Sequence, residues 1–262
     1  MKSVLKSIGL VILNLGLQFL VQTIFAAAGM VSGLQDEARL SEWIMNRILV
    51  ITIISNSLFV LVVCLFCKLK KVDMKTCWKL NKAGVGTYIM ACIVAFTYSM
   101  AFSLITYDAA VNAVSPIRVS TDFYGQWGIW ILALALLISA PVAEEIMCRA
   151  LMLNMLKKSF SVPIAILTSA TIFGVMHILA GGISLAIGAF IMGLLLAVIY
   201  EKTKSLWAVM VAHMAANLPE FILFQSPEIG RVAKILMIAG LLLISAGCLW
   251  EWIKHDLRNS GC

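Results

Sequence analysis

Eight long apolar runs constrain this chain more than any other feature. They lie at about 7–30, 48–67, 84–106, 127–157, 162–181, 183–200, 205–224 and 230–253. A helix needs roughly 20 mostly apolar residues to cross a bilayer, and most of these runs have that length. The composition agrees: 62% of residues are apolar and 13% charged. A soluble domain is nearer half apolar and a quarter charged. These values exclude a disordered chain and argue against a water-soluble globule. The expected fold is all-α, a polytopic membrane bundle of about eight transmembrane helices with the lipid bilayer as its surroundings. No soluble domain fits between the runs.

Charge sets the expected orientation. Of 20 Lys and Arg residues, 14 fall on one side if the N-terminus is inside: Lys2, Lys6, Lys68, Lys70, Lys71, Lys75, Lys79, Lys82, Lys157, Lys158, Lys202, Lys204, Lys254 and Arg258. Arg39, Arg47, Arg118, Arg231 and Lys234 fall on the other, and Arg149 lies within a span. Cytoplasmic loops are enriched in Lys and Arg, so both termini are expected in the cytoplasm of a multi-pass, plasma-membrane protein. No basic patch interleaves with aromatics on a polar face, so no nucleic-acid partner is expected. The first run ends in Ala26-Ala27-Ala28-Gly29, a faint likeness to a cleavage site. Its length and the amides Asn14, Gln18 and Gln22 on one helix face suit a retained, packed helix. Seven cysteines, mostly in apolar runs, do not suggest a disulfide framework.

The ionisable residues inside spans carry the functional information. The fourth run holds Glu144, Glu145 and Arg149, the fifth His177, and the seventh His213 with Asn217. A charge at mid-membrane costs about 2.5–3.5 kcal/mol on insertion scales, so such residues mark function or buried pairing. At a 1.5 Å rise, Glu144 lies about 20 Å before Lys157 and His177 about 21 Å beyond Pro163. Counted from Ser205, Asn217 lies about 18 Å in and His213 about 12 Å. His213 is therefore the shallow member of an otherwise shared layer.

Helical spacing divides the two carboxylates. Neighbouring residues point about 100° apart, so Glu144 and Glu145 face different ways. Glu145 and Arg149 are four apart with the acid first, the favourable order for a pair. Glu144 stands outside that pair, and in a low-dielectric site it suits a general base. His213 and Asn217 share a face and can stabilise a developing oxyanion. Phe173, one turn before His177, is core by default.

Glu144-Glu145-x-x-x-Arg149, Phe173-x-x-x-His177 and His213-x-x-x-Asn217 resemble, in that order, the three motifs of the CPBP family. This family comprises type II CAAX prenyl endopeptidases and bacterial Abi proteins, which are intramembrane proteases. Tyr200, Thr203 and Trp207 within the stretch 193–217 add to the likeness. The resemblance covers roughly residues 125–225. It divides the chain into N-terminal helices at 1–120 with about three spans, a protease core at 125–225, and a last helix with cytoplasmic tail at 228–262.

The resemblance implies an eight-helix bundle whose site opens toward the cytoplasm. It implies that Glu144 and His177 activate a water that attacks a peptide carbonyl. His213 and Asn217 would hold the oxyanion, and Glu145 with Arg149 would fix the geometry. The expected partner is a peptide or protein substrate at the membrane, prenylated or a leader peptide. A metal-free reaction without cofactor is favoured; if zinc is bound, Glu144, His177 and His213 would be its ligands. Other classes remain beside this one. Intramembrane Glu, Arg and His also mark transporters and proton relays, though no inverted repeat is visible. His177 and His213 could be axial haem ligands, which leaves Glu144 and Glu145 without a role. A catalytically silent scaffold would not need every motif residue. A cysteine protease would rest on Cys148, for which no activating neighbour is evident.

Overall fold

The computed structural model describes residues 2–111, 116–223 and 230–259, with side chains at 2–106, 118–223 and 230–252. The expected C-terminal segment 228–262 falls partly outside these residues, as do the side chains of Lys254 and Arg258.

The described chain is helical throughout. The elements are α1 (Lys2–Val31), α2 (Glu37–Met45), α3 (Ile48–Leu69), α4 (Met74–Cys77), α5 (Val85–Val111) and α6 (Pro116–Phe123). The long α7 (Gly125–Leu156) follows, then α8 (Val162–Met176), α9 (Ile178–Thr203), α10 (Leu206–Leu223) and α11 (Arg231–Asn259). Among the described residues, seven helices are long and apolar enough to cross a membrane: α1, α3, α5, α7, α9, α10 and α11. Their outer faces present apolar side chains such as Phe19, Leu61, Ile89, Trp130 and Leu243, as an integral membrane protein requires.

The fifth expected run behaves differently. The sequence suggests one helix over 162–181, but α8 ends after 15 residues at Met176. Helical geometry resumes at Ile178 and breaks again at Gly181 (φ −157°, ψ 22°) and Gly182 (φ 70°, ψ −164°). The Gly182 conformation is essentially closed to residues with a Cβ. Its reversal folds α9 back along α8 as a hairpin. The reversal falls at the expected boundary between the runs 162–181 and 183–200; the apolar run gives no sign of the earlier end at Met176, because Ile178, Leu179 and Ala180 continue it.

Contacts group the described chain into two compact units, Met1–Trp78 with Val111–Ser159 and Lys79–Ala110 with Phe160–Cys262. In the first unit α3 packs against α1 and α7, burying Leu49, Phe59 and Val63. The Gln18 amide donates to Asn14 Oδ1 at 3.2 Å on α1. Trp43 Nε1 donates to the Phe25 carbonyl at 3.1 Å, tying α2 to α1, and Arg47 lies 3.2 Å over the Trp43 ring. Asp36 caps α2 through the Arg39 N–H at 3.0 Å. On the Lys-rich side Ser3 and Ser159 share a 2.6 Å hydrogen bond, and the Asn154 amide donates to the Cys77 carbonyl.

In the second unit small residues let α8 and α9 approach closely, the usual device where lipid removes the hydrophobic drive between helices. A Cβ on Gly193 would stand 3.2 Å from the Ala170 Cα and from the Phe173 ring. A Cβ on Gly174 would stand 2.8 Å from the Ala186 carbonyl oxygen. The start of α10 is pinned: Leu206 N–H donates to the Lys79 carbonyl at 2.9 Å, and Ser205 Oγ donates to the Asn81 carbonyl. Ser205 Oγ also accepts from the Ala208 N–H at 3.2 Å, which caps the helix where the sequence suggests it begins. Lys79 and Lys204 flank Glu201 at 3.2 and 2.6 Å.

Candidate active site

The first unit holds the acidic motif. It lies on α7, which changes winding twice around it. Leu134–Ser139 and Ile146–Leu153 are π-helical, with ordinary α-helix at Ala140–Glu145 between them. Pro141 explains the first change, since it cannot donate a backbone hydrogen bond and its ring crowds the preceding turn. Such π turns occur disproportionately at functional sites. Glu144 and Glu145 are the last residues of the α-helical segment, and Arg149 stands in the second π turn.

The expected pair forms. Arg149 Nη1 donates to Glu145 Oε1 at 2.9 Å, with side chains 1% and 0% exposed. These are among the most buried large side chains of the described chain, and Cys148 and Met147 beside them are equally closed off. Glu144, one residue earlier, is only half-buried. The two neighbouring carboxylates thus differ in environment: one is locked to a guanidinium in the interior and the other retains access. Cys148 is fully buried, which removes the access a cysteine nucleophile needs.

The second unit holds the histidines. His177 is the residue that ends α8. Its backbone N–H turns back to the Gly174 carbonyl at 3.0 Å in a tightened last turn. The Phe173 carbonyl instead takes the His177 ring nitrogen Nδ1 at 2.7 Å. A carbonyl oxygen only accepts, so Nδ1 carries the hydrogen. In the neutral imidazole the lone pair is then on Nε2, the tautomer of a general base acting through Nε2.

Phe173 joins the two histidines. It is 2% exposed, its ring centroid is 4.6 Å from that of His177 and 6.0 Å from that of His213, the latter edge-on at 78°. The shallow depth of His213 counted along the sequence does not keep it from this cluster. Phe173 therefore does more than fill the core; it sets the separation of the two imidazoles. His213 is buried and Asn217, one turn on, half-buried. Pro219 lies inside α10 just beyond them. It cannot donate to the Ala215 carbonyl, so the helix is weakened at the level of Asn217.

Glu220 is a residue that the motif reading misses. It stands on α10 three residues after Asn217, exposed, within electrostatic reach of His177. The available signal was its spacing of seven from His213, which returns it to the same helix face.

Glu144, Glu145 and Arg149 thus belong to the first unit, and His177, His213 and Asn217 to the second. The zinc set Glu144, His177 and His213 draws on both. Among the described residues neither unit groups three His, Cys, Asp or Glu side chains that could hold a metal.

Comparison with known proteins gives one finding. The family described as Type II CAAX prenyl endopeptidase Rce1-like matches residues 126–219. The match runs from the first turn of α7 to Pro219 on α10 and contains all three motifs. No curated protein and no solved structure matches significantly.

Proposed function

From the match of residues 126–219 to the family described as Type II CAAX prenyl endopeptidase Rce1-like, we propose that this chain is an intramembrane endopeptidase acting by general-base hydrolysis. The observation that carries this reading is the contrast on α7: Glu145 is sealed against Arg149 while Glu144, its neighbour, retains access. A buried pair holds structure, and an accessible carboxylate can exchange protons.

In this reading Glu144 and His177 act on one water. The water's oxygen attacks the carbonyl carbon of a peptide bond as its proton passes to the Glu144 carboxylate. His213 and Asn217 donate to the oxyanion of the tetrahedral intermediate. The C–N bond then breaks as the proton held on Glu144 passes to the leaving nitrogen through Nε2 of the His177 imidazole, which restores the Glu144 carboxylate. Phe173 holds the His177 tautomer through its carbonyl and spaces the two imidazoles through its ring. Glu145 and Arg149 keep α7 in the winding that aims Glu144.

The substrate class is a peptide or protein at the membrane surface, prenylated near its C-terminus or carrying a leader. The Lys and Arg distribution supports both termini facing the cytoplasm of a plasma-membrane protein. The test is cleavage by purified protein in nanodiscs of two reporters, a farnesylated CAAX-type peptide and an unprenylated leader peptide. Products are identified by mass spectrometry with and without a chelator. Cleavage at one internal bond that survives the chelator is the expected result. Cleavage abolished by the chelator and restored by zinc replaces the metal-free mechanism. Cleavage of neither reporter favours the scaffold or transport class.

A further inference from the structure

Hydrolysis of a peptide creates a charge that the residues above do not receive. The released C-terminal fragment begins with an α-amino group of pKa about 8, which is mostly protonated at neutral pH. In a membrane-embedded site this ammonium forms away from bulk water and beside the group that delivers its proton. In the proposed mechanism that group is His177, so the inference rests on that reading.

The second unit holds a carboxylate at this place. Glu220 and His177 stand at like distances from the starts of their helices: Glu220 is 14 residues past Leu206 and His177 15 past Val162, about 21 and 22 Å at a 1.5 Å rise. At 100° per residue, His213, Asn217 and Glu220 fall within an arc of about 60° on α10. Glu220 thus shares the face that carries the oxyanion residues, one turn beyond them. It is exposed and interacts electrostatically with His177. Among the described residues it makes no hydrogen bond or ion pair. A carboxylate that deep in an apolar span needs a cation or a donor, since lipid supplies neither. The lysines of the neighbouring segment, Lys202 and Lys204, sit at the far end of α9, engaged with the Trp252 carbonyl and Glu201 respectively. Residue 220 also lies just past the end of the family match at 219.

We propose that Glu220 is the binding subsite for the primary ammonium of the C-terminal product. It faces the nitrogen that leaves when the C–N bond breaks, and it receives that nitrogen as R–NH₃⁺ after proton delivery. It takes no part in the attack of water. The subsite therefore selects a free amine over an amide at that position.

The test compares two probes, the tripeptide Val-Ile-Leu with a free amino terminus and its N-acetylated form. Binding is read by thermal stabilisation in the Glu144→Gln background, which needs no turnover, and as product inhibition in the active protein. The expected result is tenfold or greater preference for the free amine in the protein carrying Glu220, its loss in Glu220→Gln, and its retention in Glu220→Asp. Equal binding of both probes to the protein carrying Glu220, or an undiminished preference in Glu220→Gln, overturns the proposal. Failure of the protease reading looks different: the active protein then cleaves no reporter, whatever the two probes do.

Discussion

Replacing Glu145 with Gln should destabilise the protein far more than its size suggests. The substitution keeps shape and one hydrogen-bond acceptor but removes the charge facing Arg149. At the observed 2.9 Å the gross attraction is about 6 kcal/mol with an effective dielectric of about 20. Much of that offsets the cost of burying two ions. What matters is the state left behind, in which Arg149, 1% exposed, has lost its opposite charge. Removing one member of a buried pair typically costs about 3–5 kcal/mol. Because Gln still accepts a hydrogen bond, the low end applies, about 3 kcal/mol. That is roughly a 150-fold shift in the unfolding equilibrium. The assay is equilibrium unfolding in mixed micelles followed by tryptophan fluorescence. Arg149→Met should cost a comparable amount, and the double variant less than the sum, because neither ion then remains alone. A Glu145→Gln protein within about 0.5 kcal/mol of wild type, or strict additivity in the double variant, would refute the pairing argument.

Three further outcomes follow from particular residues. His213→Ala and Asn217→Ala should each lower kcat by roughly 100- to 1000-fold, with folding unchanged, if both donate to the oxyanion; steady-state kinetics on a cleaved reporter decide this. Gly182→Ala forces a Cβ into a φ of 70° and should destabilise the α8–α9 hairpin by about 1–3 kcal/mol, read as faster amide exchange over 174–186. Asp73 is held below its ordinary value of 3.8, first by the Thr76 hydroxyl and then by backbone donors, so the stabilisation of α4 is full above the ordinary value and lost as pH falls through the lowered one. Protection of amides 74–77 should therefore drop in acid, and Asp73→Ala should lose that pH dependence.

The spans were legible because lipid leaves few choices: a run of about 20 apolar residues becomes a helix. The expected 84–106 and 205–224 match the membrane-crossing segments Val85–Thr106 and Leu206–Leu223 almost residue for residue. The Glu145–Arg149 bond was legible from spacing alone. The break at Gly181 and Gly182 falls between the expected runs 162–181 and 183–200, but the early end of α8 at Met176 was not legible, because hydropathy continues through Ile178–Ala180. The π turns were signalled only by Pro141. The place of Phe173 between two imidazoles depends on how α8 and α10 meet, which no single helix encodes. Glu220 was passed over because no motif contains it, although its spacing from His213 was visible.

In the proposed mechanism the accessible carboxylate of the two, Glu144, performs the chemistry. The most direct measurement is turnover per folded molecule of Glu144→Gln on a reporter that the wild type cleaves, with Glu145→Gln measured beside it. Glu144→Gln should fold with wild-type stability and show no turnover, while Glu145→Gln should lose stability and keep measurable, though reduced, turnover in the fraction that folds. Near-normal cleavage by Glu144→Gln would contradict this mechanism and send the search for the base elsewhere.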